Sequence, residues 1–256
     1  MVFTFRGEKG HCGKEGTEFK PRPMVEIGGI PIMWHIMQRY AHYGFKDFVL
    51  PLGYRGDVIK QFFHGYKTRN SDFTIDLGSG DTTVHNSDGC VDWKVTLCDT
   101  GENTEKGARI KRIAAHLGEG PFMATYGDGV SDIDISALLE FHKSQGKLGT
   151  FTGVRMPSRF GTVSTDEEGN ISSWEEKPVL NQFSNCGFFV FEHGFLDYLA
   201  EEESCDLEKE PLQRLAREGQ LAMYRHEGFW QCRDTLRDYQ LLNSMWNRGS
   251  VPWMHF

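Results

Sequence analysis

Long apolar runs are missing from this 256-residue chain, and none is long enough to span a bilayer. Cationic charge is in deficit as well: 28 Lys and Arg stand against 36 Asp and Glu, a formal net charge of −8. That balance argues against a nucleic-acid partner or an anionic membrane, and it leaves room for a local basic pocket that takes phosphates. Cys-x-x-Cys pairs are absent. Six scattered cysteines and ten histidines never cluster at ligand spacing, which argues against a zinc site. The thiols read as mostly buried ones in a reducing cytoplasm. Met1 leads into Val2-Phe3-Thr4-Phe5 and then charge, unlike a secretory leader. What remains, 39% hydrophobic and 25% charged, is the composition of a globular protein, long enough for one large α/β domain.

Strand and helix signals alternate through the first third. Val2–Phe5 reads as a short strand, followed by a loop with Gly7, Gly10, Gly13 and Gly16. Pro31 opens a helix whose apolar face is Ile32, Met33, Ile36, Met37 and Tyr40, and Gly44 closes it. Phe48-Val49-Leu50 is a buried-strand run, and residues 57–63 read as the next helix. This alternation predicts βαβ units and a mainly parallel sheet. Residues 70–91 are a polar excursion, and Lys94–Leu97 returns as a strand. Ile110, Ile113, Ala114 and Leu117 mark a helix closed by Gly118. Asp134 is placed to cap a helix, residues 165–170 form a hairpin turn, and Phe188–Phe191 is a core strand. Helices are expected near 195–201, 211–217 and 236–246. No repeat, low-complexity tract or linker divides the chain, so residues 1–256 read as one domain elaborated in its second half.

Four segments carry chemistry. Phe122-Met123-Ala124-Thr125 is a buried strand ending at Tyr126-Gly127-Asp128-Gly129-Val130, a carboxylate bracketed by glycines where backbone turns sharply and a ligand comes close. Ligands of open α/β sheets sit at such strand ends, and Mg²⁺ binds through one or two carboxylates plus substrate phosphates. A turn Asp capping the next helix explains Asp128 equally well from the pentapeptide alone. Lys20-Pro21-Arg22-Pro23 stiffens a loop that holds two cations near the glycine-rich segment, suited to a triphosphate. Glu176-Lys177-Pro178 sets an acid and a base side by side, able to accept sugar hydroxyls and pair with a phosphate, or to form a solvated strand edge. Asp234, ahead of the last helix, is either a second metal carboxylate or that helix's N-cap.

In this order, these segments resemble the sugar-1-phosphate nucleotidylyltransferases, and within them the members that join CTP to glucose 1-phosphate. The matching text includes Pro23–Gly29, Pro31–Met37, Val95–Gly101, Thr125–Val130, Ser158–Gly161, Glu176–Pro178, Gly187–Val190 and Asp234–Asp238, and it runs from about Gly16 to Trp253. The resemblance implies a Rossmann-like α/β fold with a mixed, mainly parallel sheet flanked by helices. It implies a nucleotide-binding N-terminal half, a sugar-binding C-terminal half and a homo-oligomer. Carried over, Asp128 and Asp234 hold Mg²⁺, with Arg22 as the third catalytic group. Gly7, Gly10, Lys20, Asp99, Thr100, Arg109 and Tyr126 fall on the nucleotide side. Gly161, Glu176, Lys177 and Asn185 line the sugar-phosphate side.

The family's G-G-x-G-T-R loop is altered. Counting back from Lys20, this chain has Gly7-Glu8-Lys9-Gly10-His11-Cys12, with Cys12 where an arginine would face the departing pyrophosphate. Arg22 stands at the catalytic lysine, Ile30 replaces another lysine, and Lys106 stands at a usual threonine. Two readings follow: an active cytidylyl transferase, and an impaired relative that binds sugar phosphate or nucleotide as an assembly subunit.

Overall fold

Val2–Thr4 is a strand paired in parallel with Asp47–Leu52 on one side and Phe122–Tyr126 on the other. A computed structural model of the chain describes residues 1–4, 20–86, 89–158 and 160–254. Lys94–Asp99 continues the sheet, parallel to Asp47–Leu52. On the opposite side Phe189–Phe191 lies antiparallel to Phe122–Tyr126, and Gly149–Pro157 lies antiparallel to Phe189–Phe191. Gly149–Pro157 then carries Val179–Asn185 antiparallel and Leu221–His226 parallel. The eight-stranded sheet is therefore mixed, four parallel pairings against three antiparallel, as the strand–helix alternation predicts.

Side chains alternate across the sheet, and each strand feeds two cores. Phe3, Phe48, Leu50, Met123 and Val190 pack with Ile32, Met33, Ile36, Met37 and Tyr40 of the Ile32–His42 helix. Val2, Val49, Phe122, Ala124, Phe189 and Phe191 face the other way, onto Ile110, Ile113, Phe195, Leu212 and Leu215. Helices thus cover both faces. Because the neighbouring strands are parallel, Leu52, Asp99 and Tyr126 finish at one edge of the sheet, where α/β folds bind ligands.

Most expected elements are present: Pro31 precedes the first helix, Gly56–His64 is the second, and Leu236–Asn247 the last. Three expectations are corrected. The helix read over 110–117 is an α-helix Lys106–Arg112 followed by a 3-10 turn Ala114–His116, with Ile113 between them at ψ 7°. Ile110 and Ile113, three positions apart, both reach the core from one face. The segment near 195–201 is a 3-10 helix, His193–Tyr198. Among the five described cysteines only Cys186 is fully buried, because Cys90, Cys98, Cys205 and Cys232 sit in loops or near strand ends. The 70–91 excursion is a solvent-facing hairpin, Phe73–Ile75 with Thr82–Val84. Among the described residues no helix is long and apolar enough to cross a membrane.

Candidate active site

Two strand ends build the centre. After Tyr126 the chain turns through Gly127 and Asp128 into Gly129–Ser131, which pairs antiparallel with Trp230–Cys232, placing Gly129 opposite Cys232. A Cβ on Gly129 would lie 3.3 Å from the Trp230 indole nitrogen, so the small residue lets the two strands close. The Arg233 N–H donates to the Asp128 carbonyl at 2.8 Å, and Asp128 and Asp234 come together across this junction.

Neither aspartate is a helix cap. Asp128 is followed by a strand, and the next helix is capped by Asp134, whose Oδ1 accepts the Ala137 N–H at 2.9 Å. The last helix is capped by Thr235, in a reciprocal capping box with Asp238. Asp234 is left outside the helix.

Arg22 stands between the pair, with Nη1 3.7 Å from Asp128 Oδ2 and 3.5 Å from Asp234 Oδ1. The Cys232 thiol donates to Asp234 Oδ2 at 3.3 Å, a contact that spacing alone did not predict. Burial, and next the Asp234 charge, push the Asp128 carboxyl up to about 6, while Arg22 and Lys106 act in the opposite sense. Two carboxylates held this closely need more positive charge than one guanidinium supplies. No group of three or more His, Cys, Asp or Glu with metal-ligand geometry occurs among the described residues. A pair of carboxylates is nevertheless a donor set that suits Mg²⁺, which fills the rest of its shell with water and substrate phosphates.

Tyr126 leads a second cluster. Its hydroxyl donates to Glu208 Oε1 at 2.5 Å and accepts from Asn185 Nδ2 at 2.9 Å. Lys106 pairs with the same Glu208 oxygen and lies 5.1 Å from the Tyr126 ring centroid. Asn185 Oδ1 in turn accepts the Gly187 N–H, and a Cβ on Gly187, at φ +81°, would lie 2.9 Å from the Tyr126 ring. Burial and then the Glu208 charge raise the Tyr126 phenol, which stays protonated. Glu208 escaped the sequence reading, since Glu208-Lys209-Glu210-Pro211 looks like an ordinary acidic helix start and its partner lies 82 positions away.

Other expected residues fall in two further places. Lys177 Nζ is 3.2 Å from Glu176 Oε1, and Lys177 adopts φ +48° at the bend before Val179–Asn185. Gly161 is adjacent, since its Cβ would lie 3.0 Å from Glu176 Oε2. Asp99 and Thr100 follow the Lys94–Asp99 strand, where Asp99 Oδ1 accepts the Gly101 N–H at 3.0 Å. Arg109 is fully buried beneath that loop, donating to Leu52 O, Thr100 Oγ1 and Glu102 O. Lys20 is exposed and pairs with Glu26 at 2.6 Å. Gly7 and Gly10, with the altered loop, lie outside the described residues.

The family described as nucleotidyl transferase matches residues 17–243. A glucose-1-phosphate cytidylyltransferase of Salmonella typhi is 43% identical over 241 residues, 93% of this chain and 93% of its own. A protein of Bacillus subtilis named as a probable glucose-1-phosphate cytidylyltransferase is 38% identical over 248 residues, 94% and 96% of the two chains. The crystal structure of HddC from Yersinia pseudotuberculosis superposes with a TM-score of 0.66 at 19% identity, over 96% of this chain and 98% of that one, a likeness of fold.

Proposed function

The chain belongs to the nucleotidyl transferase family, and from that premise we propose that it transfers a cytidylyl group from CTP to glucose 1-phosphate, giving CDP-glucose and pyrophosphate. The observation that carries the chemistry is the Asp128–Asp234 pair at the strand ends with Arg22 between them. A phosphate oxygen of glucose 1-phosphate bonds to the α-phosphorus as the bond from that phosphorus to the bridging oxygen of pyrophosphate breaks. The nucleophile is already an anion, so the site needs no general base. Its work is to align three anionic groups and suppress their repulsion. Asp128 and Asp234 would hold Mg²⁺, which supplies charge neutralisation to the phosphates when bound. Arg22 supplies a planar, always charged donor fork at the same place. Gly7, Gly10, Lys20, Asp99, Thr100 and Arg109 are assigned to the nucleotide side, and Gly161, Glu176, Lys177 and Asn185 to the sugar side. Tyr126 joins the two.

The reading extends to a single-domain, cytoplasmic homo-oligomer that binds neither nucleic acid nor membrane, in keeping with the net charge of −8. An impaired, binding-only relative would follow from the altered loop alone, and no described residue favours it. Pyrophosphate release measured with glucose 1-phosphate and each of the four ribonucleoside triphosphates tests the proposal. CTP is expected to support turnover at least an order of magnitude faster than the others, since a base-reading pocket leaves polar groups unpaired against the wrong base. Equal rates with all four, or none with CTP, would remove it.

The sugar side is tested separately. Glu176→Gln and Lys177→Met are expected to weaken glucose 1-phosphate binding by about tenfold, the worth of one charge-assisted contact. Both lie at an exposed bend, so stability should hold. Calorimetric titration with each ligand decides it: an equal loss of CTP affinity would take both residues out of the sugar half.

A further inference from the structure

Arg22 lies between the two carboxylates rather than beside one of them, and 3.7 and 3.5 Å are longer than the 2.7–2.9 Å of a tight charge-assisted hydrogen bond. The guanidinium is thus a counter-ion to both anions. Its backbone is anchored: Arg22 opens a 3-10 turn, Arg22–Met24, between Pro21 and Pro23, with Pro23 and Met24 buried and the Met24 N–H donating to Pro21 O at 2.8 Å. The side chain itself is 28% exposed, so it can move while its backbone stays. A divalent ion on the same oxygens would sit within a few ångströms of the guanidinium, and two cations at that distance repel.

From this geometry we propose that Arg22 and the metal compete for the Asp128–Asp234 pair, so that metal arrival displaces the guanidinium toward the nucleotide phosphates. The inference rests on the reaction proposed above and adds a sign to it. Arg22 opposes metal binding in the nucleotide-free protein and favours it once phosphates are present to receive the guanidinium. Because coupling free energies are reciprocal, CTP must then tighten metal binding more when Arg22 is present.

Mn²⁺ binding followed by electron paramagnetic resonance tests this without turnover. Without nucleotide, Arg22→Gln is expected to bind Mn²⁺ about tenfold more tightly than the unaltered protein, since one charge at this range and effective dielectric is worth a unit or more of affinity. Arg22→Lys keeps the charge and should stay close to the unaltered protein. With saturating CTP the advantage should disappear. In an Asp128→Asn background the gain from Arg22→Gln should be smaller, because Asp234 alone is left to compete for. Unchanged or weaker Mn²⁺ binding by Arg22→Gln, with an unfolding curve showing it folded, overturns the competition and leaves the cytidylyl-transfer proposal standing. A gain that is undiminished in the Asp128→Asn background overturns it as well. Absence of Mn²⁺ binding to the unaltered protein even with saturating CTP overturns both.

Discussion

Replacing Asp128 with Asn should abolish turnover while making the metal-free protein more stable at neutral pH. Asn matches the neutral carboxylic acid in shape, so the strand junction and the Arg233 N–H bond to the Asp128 carbonyl are kept. What is lost is a charge that the fold holds at a disadvantage. Burial and the facing Asp234 raise the Asp128 carboxyl from 3.8 to about 6. A raised folded-state value means that its stabilising contribution is complete below the unfolded value near 3.8 and is lost as pH climbs through about 6. Well above that pH the unaltered, metal-free chain carries a penalty of about 3 kcal/mol, and Asn removes it. Urea unfolding with a chelator present should show the variant ahead at pH 7.5 and level with the unaltered protein near pH 4. Turnover should fall by about three orders of magnitude or more, the usual cost of removing charge stabilisation from a phosphoryl-transfer site. A variant that is less stable at pH 7.5, or that retains its rate at limiting Mg²⁺, would make Asp128 a structural residue.

Asp128 was legible as a strand-end carboxylate, though not as to role, because its signal is local: an apolar strand, then a carboxylate between glycines. The same is true of Asp134 as a cap and of the 165–170 turn, each of which closes within a few residues. Asp234 was legible as a carboxylate but not as to role. The choice between ligand and cap depended on Thr235 and Asp238 forming a capping box, which local propensity alone allows but does not require. Long-range meetings were not legible. Glu208 reaches Tyr126 only because the segment after Leu199 returns over the helix Lys106–Arg112, as the Glu105 N–H to Glu203 O bond shows. Arg22 was marked as a cation near phosphates, yet nothing in Lys20-Pro21-Arg22-Pro23 places its guanidinium between two carboxylates more than a hundred residues further on. Phe188–Phe191 was expected as a core strand, and Phe189–Phe191 is one. Its antiparallel insertion beside Phe122–Tyr126 is a property of the topology, and an apolar run carries no direction.

Arg109 invites the opposite experiment, in which a residue expected at the nucleotide should prove essential to the fold beneath it. Its guanidinium is almost wholly buried, and Nη1 donates to Leu52 O at 2.9 Å and to Thr100 Oγ1 at 2.6 Å, while Nη2 donates to Glu102 O at 3.2 Å. A Cβ on Gly53 would lie 2.3 Å from that guanidinium, so the chain leaves out a side chain there to admit it. Arg109 therefore ties the end of Asp47–Leu52 to the loop after Lys94–Asp99, two strand ends on the side proposed for the nucleotide. Burial and then the neighbouring Arg112 charge lower its pKa. A guanidinium keeps its charge in proteins, so these are charged hydrogen bonds in a dry place. Arg109→Met fills the stem and deletes the donors; Leu52 O keeps the Thr100 N–H and hydroxyl, so the cost falls on the carbonyl of Glu102 and on the lost tie between the two strand ends. The expected loss is about 1–3 kcal/mol in chemical unfolding without ligand, with a raised KM for CTP and a smaller change for glucose 1-phosphate. Thr100→Val, which removes one acceptor of the same guanidinium, should move both readouts in the same direction by less. Unaltered stability together with a selective rise in the KM for CTP would instead mean that Arg109 turns outward to meet the nucleotide directly.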